Sequence, residues 1–183
     1  MKKILFTSLL AVSFLSLSGY QLYEKRAKAS EDMKGFIEPE PSGWVDYSKS
    51  LNEYMYYRTQ AVVKNDIHIL WDQYPALKDN IDLRQGVNGE KMEVDSLNEG
   101  LDLIDANYDI ESYERIKVKT INENEVIALV HGSIIYTIND FGSSGGEYLI
   151  KVFLEKKDNQ WIVVKTDEYT ISEYKDWVKN KGK

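Results

Sequence analysis

The sequence predicts an α+β domain in which N-terminal helices pack on a curved antiparallel β-meander. Three observations carry that prediction. Four runs rich in β-branched and aromatic residues follow one another at 113–121, 126–138, 147–155 and 161–169. Turn-forming residues separate them at 122–125, 139–146 and 156–160, and connections this short join antiparallel neighbours. Ahead of the strands, and once behind them, apolar residues recur at the three- and four-residue steps of amphipathic helices.

The chain has 183 residues, enough for one domain with an N-terminal extension. It opens on Lys2 and Lys3, followed by an uncharged apolar run over 4–17, the pattern of a secretory signal. Residues 4–20 are fewer than the roughly 20 a spanning helix needs, and four serines dilute them. We read 1–29 as a signal peptide or N-terminal membrane anchor, with cleavage after Ala29 preferred and retention as the alternative. The stretch Leu17-Ser18-Gly19-Tyr20 resembles a bacterial lipoprotein signal whose lipidated cysteine is replaced by Tyr20. Residues 30–43, with two prolines and two glycines, read as a tether. The expected location is therefore exported: secreted, or anchored at the outer face of the cytoplasmic membrane.

The domain is expected over 44–183. Trp44, Tyr47, Leu51, Tyr54, Met55, Ala61 and Val62 mark a first helix. Lys64, Asn65 and Asp66 interrupt it, and Asp66 is placed to cap a second helix over 67–73. Pro75 ends that helix, because proline disfavours the helical state of Tyr74. Residues 79–89 are turn-rich. Val94, Leu97, Leu101 and Ile104 then predict a helix over 90–106. Within the sheet, 126–130 is apolar on both faces, as a covered central strand requires. Thr170 and Glu173 form a capping box for a last helix over 171–178. Tyr174 and Trp177 are positioned to staple that helix to the sheet.

Two joined helices, a further helix and a bent antiparallel sheet resemble the NTF2-like superfamily, with cystatin-like folds as the nearest competitor. The likeness rests on the helix break at 61–75 and on the final hairpin, from Gly145 through Trp161 to Val163. It implies a cone whose helices plug a curved sheet, with a pocket between them. That superfamily includes isomerases, dehydratases and binding modules, so the fold leaves the chemistry open.

Composition narrows the field. No cysteine is present, which excludes disulfides, thiol catalysis and Cys-based metal sites. His68 and His131 are the only histidines, so no His-rich metal site exists, and no motif identifies a cofactor. Residues 1–29 hold five of the 23 basic and one of the 30 acidic residues. The remainder therefore carries 18 against 29, a net charge of −11. Such a surface repels nucleic-acid phosphate and anionic lipid, leaving the N-terminal segment as the one expected membrane contact.

Candidate residues follow from chemistry. His131, Glu147 and Asp167 are the groups available for acid–base work in a cone, with Tyr136, Tyr148 or Tyr169 as hydroxyl donors. Asp167 and Glu168 stand near a strand end, where water is usual. Trp71, Tyr74 and Tyr136 are the expected lining for a small apolar ligand. The bland reading of each is packing, and it outweighs catalysis. The sequence thus predicts an exported, non-catalytic binding or interaction module of the bacterial envelope. Its partner is a small apolar or protein ligand, and a homodimer fits the same fold. The alternative is a small isomerase or dehydratase using a pocket carboxylate.

Overall fold

Pro41 opens the longest helix among the described residues, α1 (Pro41–Val63), at a position where its missing N–H costs nothing. The computed structural model describes residues 34–112, 116–140 and 142–180. The signal or anchor expected over 1–29 lies outside them. The chain divides into Met1–Gly35 and Phe36–Lys183, and the helices and strands described here belong to the second unit. That unit begins ahead of Trp44. Ile37 exchanges both backbone hydrogen bonds with Val118, at 2.9 and 2.7 Å, so residues expected as tether already pair with the sheet.

Helix α1 buries Leu51, Tyr54, Met55, Ala61 and Val62, the expected stripe. It ends in a Schellman turn: Asp66 N–H reaches the Ala61 carbonyl and Asn65 N–H the Val62 carbonyl. Asn65 supplies the left-handed residue, at φ 51°. Asp66 Oδ1 accepts from the His68 N–H at 3.0 Å and starts α2 (His68–Trp71), shorter than expected. A 3-10 turn follows over Pro75–Asp79. Asn88 caps α3 (Gly89–Asn98) by accepting from Lys91 N–H.

The helix expected through 106 stops at Asn98, and Leu103–Ile110 is a strand, β1. Gly100 takes φ 90° and ends the helical path. Beyond it Ala106, Tyr108 and Ile110 pack inward at every second residue, a strand period. Ile104, counted toward the helical stripe, is exposed.

The remaining strands are β2 (Lys117–Asn122), β3 (Glu125–Ile138), β4 (Ser143–Lys157) and β5 (Gln160–Glu168), all antiparallel. The sheet order is β1-β3-β4-β5, and β2 also pairs with β3. The N-terminal half of β3 holds β2 and its C-terminal half holds β1. The expected four-strand meander is present, with β1 added to it. The expected loop over 139–146 is shorter, because Ser143–Gly146 pair with β3. Gly145 sits at φ 134°, where a Cβ would lie 2.1 Å from the Ile134 carbonyl oxygen.

Even-numbered residues of β3 and β4, from Val126 to Tyr136 and Tyr148 to Leu154, face the helices. A register shift between Phe153 and Leu154 moves β5 by one, so Val163, Thr166 and Glu168 all oppose inward-facing partners. On the opposite face Leu129, His131, Leu149 and Lys151 are buried. The last helix, α4 (Ile171–Asn180), starts at the expected capping box: Thr170 N–H donates to Glu173 Oε2 at 2.9 Å. No helix among the described residues is long and apolar enough to cross a membrane.

Candidate functional site: a clamped cone interior

Arg58 stands in the apolar stripe of α1, one turn after Tyr54, and is 4% exposed. A guanidinium there must find carboxylates. Its Nε–H donates to Glu93 Oε2 at 2.7 Å and one Nη2–H to Glu168 Oε2 at 2.7 Å. Glu93 comes from α3 and Glu168 from the end of β5, so one side chain ties the first helix to the third and to the sheet. Tyr136 of β3 donates to the other Glu93 oxygen at 2.9 Å. Beside this cluster, Tyr54 and Thr166 hydroxyls both donate to Glu90 Oε1, at 3.0 and 2.5 Å.

Electrostatics follow from burial. Burial works to lower the Arg58 pKa, but Glu168 and Glu93 outweigh it and hold the guanidinium well above its ordinary range. Burial raises the Glu168 pKa against the opposing pull of Arg58, with Glu93 adding to the rise. Burial likewise raises the Tyr136, Tyr148 and Tyr54 hydroxyls, so they stay protonated and able to donate. Tyr148 donates to the Asp109 carbonyl at 3.1 Å, crossing over Gly132. A Cβ at Gly132 would stand 2.0 Å from that carbonyl oxygen and 2.6 Å from the tyrosine hydroxyl. Only glycine fits.

This helix order and this bent sheet are those of a known structural class. No family model matches the sequence, and no curated protein matches it. Solved structures do. Aln2 from a Streptomyces species superposes over 79% of this chain and 99% of that chain, with a TM-score of 0.51 at 9% identity. The fold is NTF2-like. The association domain of C. elegans CaMKII superposes more loosely, at TM-score 0.46 and 10% identity, over 73% of this chain and all of that one. An NTF-2 like protein of unknown function from Shewanella oneidensis MR-1 gives 0.40 and 11%, over 66% and 97%.

In this NTF2-like cone the expected ligand residues are packed. Tyr136 is spent on Glu93, and Tyr74 lies edge-on to Tyr54 and Tyr57, with ring centroids 6.0 and 6.2 Å away. Trp71 sits farther out, against His68 at 5.6 Å. Neither of the two best-formed surface depressions is lined by Trp71, Tyr74 or Tyr136.

The catalytic candidates do not meet in the cone. His131 lies on the opposite sheet face, its Nδ1 2.9 Å from Glu111 Oε2 and its Nε2 3.2 Å from the Tyr174 hydroxyl. Tyr174 donates in turn to Glu147, so His131 and Glu147 are joined through the last helix. Burial and that bond push the Tyr174 hydroxyl up to about 12. The His131 ring stacks on Tyr174 at 5.3 Å and lies 5.2 Å from Trp177, the expected staple of α4. Asp167 is elsewhere: it is buried against Arg84 and accepts from Leu83 N–H at 3.2 Å. The water expected around Asp167 is displaced by residues 80–84, whereas Glu168, paired with Arg58, keeps part of its side chain exposed.

Sequence reasoning missed Arg58, Glu90 and Glu93. Their signal was a charge in an apolar stripe: Arg58 follows Tyr54 by four, and Glu90 and Glu93 share the α3 face of Val94.

Proposed function

We infer that the chain is an exported, non-catalytic interaction module built on an NTF2-like cone. NTF2-like proteins include both binding modules and isomerases or dehydratases, so the choice falls to the interior. One observation carries it. The buried Arg58 guanidinium is held between two carboxylates at 2.7 Å, and Tyr136 donates to one of them. A general base needs a carboxylate facing substrate, and here Glu93 and Glu168 both face Arg58. Export is supported by the basic start and apolar run of the first seventeen residues.

The enzymatic reading has one observation of its own, the buried carboxylate–tyrosine pairs Glu93–Tyr136 and Glu90–Tyr54. Native mass spectrometry of the purified protein, after incubation with detergent-free envelope extract, separates the two. The interaction module is expected to gain a protein-sized mass and no small one. A reproducible small-molecule mass that disappears in Arg58→Met would overturn it.

A further inference from the structure

Residues 80–88 invert the usual burial order. Asn80 and Asp82 are buried, while Ile81 is 53% and Leu83 72% exposed. Exposed leucines alone are ordinary; buried polar residues alternating with displayed apolar ones are informative. The inversion is built by named bonds. Asn80 Nδ2 donates to the Thr166 hydroxyl at 2.8 Å and to its carbonyl at 3.1 Å. One Asp82 oxygen accepts from the backbone N–H of Arg84 and Gln85, at 2.7 and 2.9 Å, and the other from Glu168 N–H at 2.6 Å. Asp82 N–H and carbonyl also bond Val87 and Gly86, both at 2.8 Å. Arg84 pairs with Asp167 and lies over the Tyr169 ring at 3.9 Å. The strap is thus fixed to the edge of β5, and Ile81 and Leu83 have nowhere to turn but outward.

Val87 carries the display onto α3. Val87 and Met92, both exposed, line a shallow groove with Asn88, Lys91, Asp95 and Glu99. Lys91 is already paired with Asp95 at 2.6 Å, which leaves the groove acidic at its Glu99 end. The rest of the chain reinforces that sign, with net −11 over 30–183.

We propose that the strap and the exposed side of α3 form the docking surface of the module, for a protein partner presenting a cationic amphipathic helix. Ile81, Leu83, Val87 and Met92 receive its apolar face, and Glu99 takes its basic flank, joined by Asp95 once its solvent-exposed pair with Lys91 opens. A groove along an exposed helix suits a helical occupant, and the acidic rim selects a basic one. The same acidity disfavours the anionic headgroups of a membrane surface. This assignment rests on the interaction-module reading and names its surface.

The probe is a fluorescein-labelled leucine–lysine amphipathic peptide about five helical turns long, titrated with the full chain and read by anisotropy. A leucine–glutamate peptide of equal length serves as control. Tight binding of the lysine peptide is expected, weakened by about tenfold or more in Ile81→Ser/Leu83→Ser, and weakened again in Asp95→Asn/Glu99→Gln. The glutamate peptide is expected not to bind. Equal affinity of the wild type and the strap variant overturns the proposal, as does equal binding of the two peptides. Binding to phosphatidylcholine vesicles that the strap variant loses overturns it in favour of a lipid surface. Self-association lost in the same variant overturns it in favour of a second copy. All four substituted side chains are exposed, so these variants keep the fold. Failure here, with a protein-sized mass still captured from extract, leaves the interaction module standing and moves its surface elsewhere.

Discussion

The cone interior and the 80–88 strap both bury polar side chains, and they do so to opposite ends. In the cone, Arg58 gives its Nε and Nη2 to Glu93 and Glu168, and Tyr136 donates to Glu93, which joins α1, α3 and β5 and leaves only Arg58 Nη1 of the guanidinium without a partner. In the strap, Asp82 satisfies backbone groups and Asn80 bonds both the carbonyl and the hydroxyl of Thr166, and the outcome is a fixed loop that holds Ile81 and Leu83 in water. A polar side chain that answers another side chain closes a site. One that answers the backbone shapes a surface. On the proposed reading the chemistry-bearing residues build structure, and the partner docks outside the cone.

The sharpest break in that comparison is Arg58→Met. It leaves the partly buried Glu93 and Glu168 without their cation and is expected to cost about 3 kcal/mol in urea unfolding, the low end for a buried pair. Adding Glu93→Gln and Glu168→Gln to it removes the orphaned charges and should recover most of the loss. Next in size is Asp82→Ala, which strands the N–H groups of Arg84, Gln85 and Glu168. About 2–3 kcal/mol is expected, with faster amide exchange confined to 80–88.

A smaller effect separates the two regions by pH. Burial raises the Glu168 pKa above the ordinary 4.5. Below that value the folded and unfolded forms both carry the proton, and the contribution of this group is fully present. As pH rises, the unfolded chain ionises first, so stability falls until Glu168 itself ionises in the fold. Urea midpoints measured from pH 4 upward should show this decline, and Glu168→Gln should flatten it. The smallest effect belongs to Ile81→Ser/Leu83→Ser, expected within about 0.5 kcal/mol of wild type. A larger loss would mean that the strap residues pack rather than display.

Much of this architecture was legible in the sequence. The apolar stripe of α1, the break at Asn65 and Asp66, the runs of β3 and β4 and the Thr170–Glu173 box are local signals, and local signals survive folding. The helix expected through 106 failed because Leu101 and Ile104 fit a helical count by chance across Gly100, whose backbone cannot be read from spacing. The site was less legible. Arg58 drew no reading, because only tertiary structure brings Glu93 and Glu168 to it, from 35 and 110 residues away. Glu168 faces inward because of a one-residue register shift in β5, and no pattern in 160–168 announces it. His131 did reach Glu147, through Tyr174, but on the face that α4 covers.

The claim that the cone is a closed clamp can be tested at one atom. The Arg58 Nε–H donates to Glu93 at 2.7 Å in a buried setting and should give a separate resonance in nitrogen-15 NMR of the arginine side chains. Its exchange with solvent at neutral pH is expected to be as slow as that of the core amides of β3 and β4. Exchange at the rate of an exposed arginine would show an interior open to water. Arg58, Glu93 and Glu168 would then be free for chemistry, and the interaction module would lose its main support.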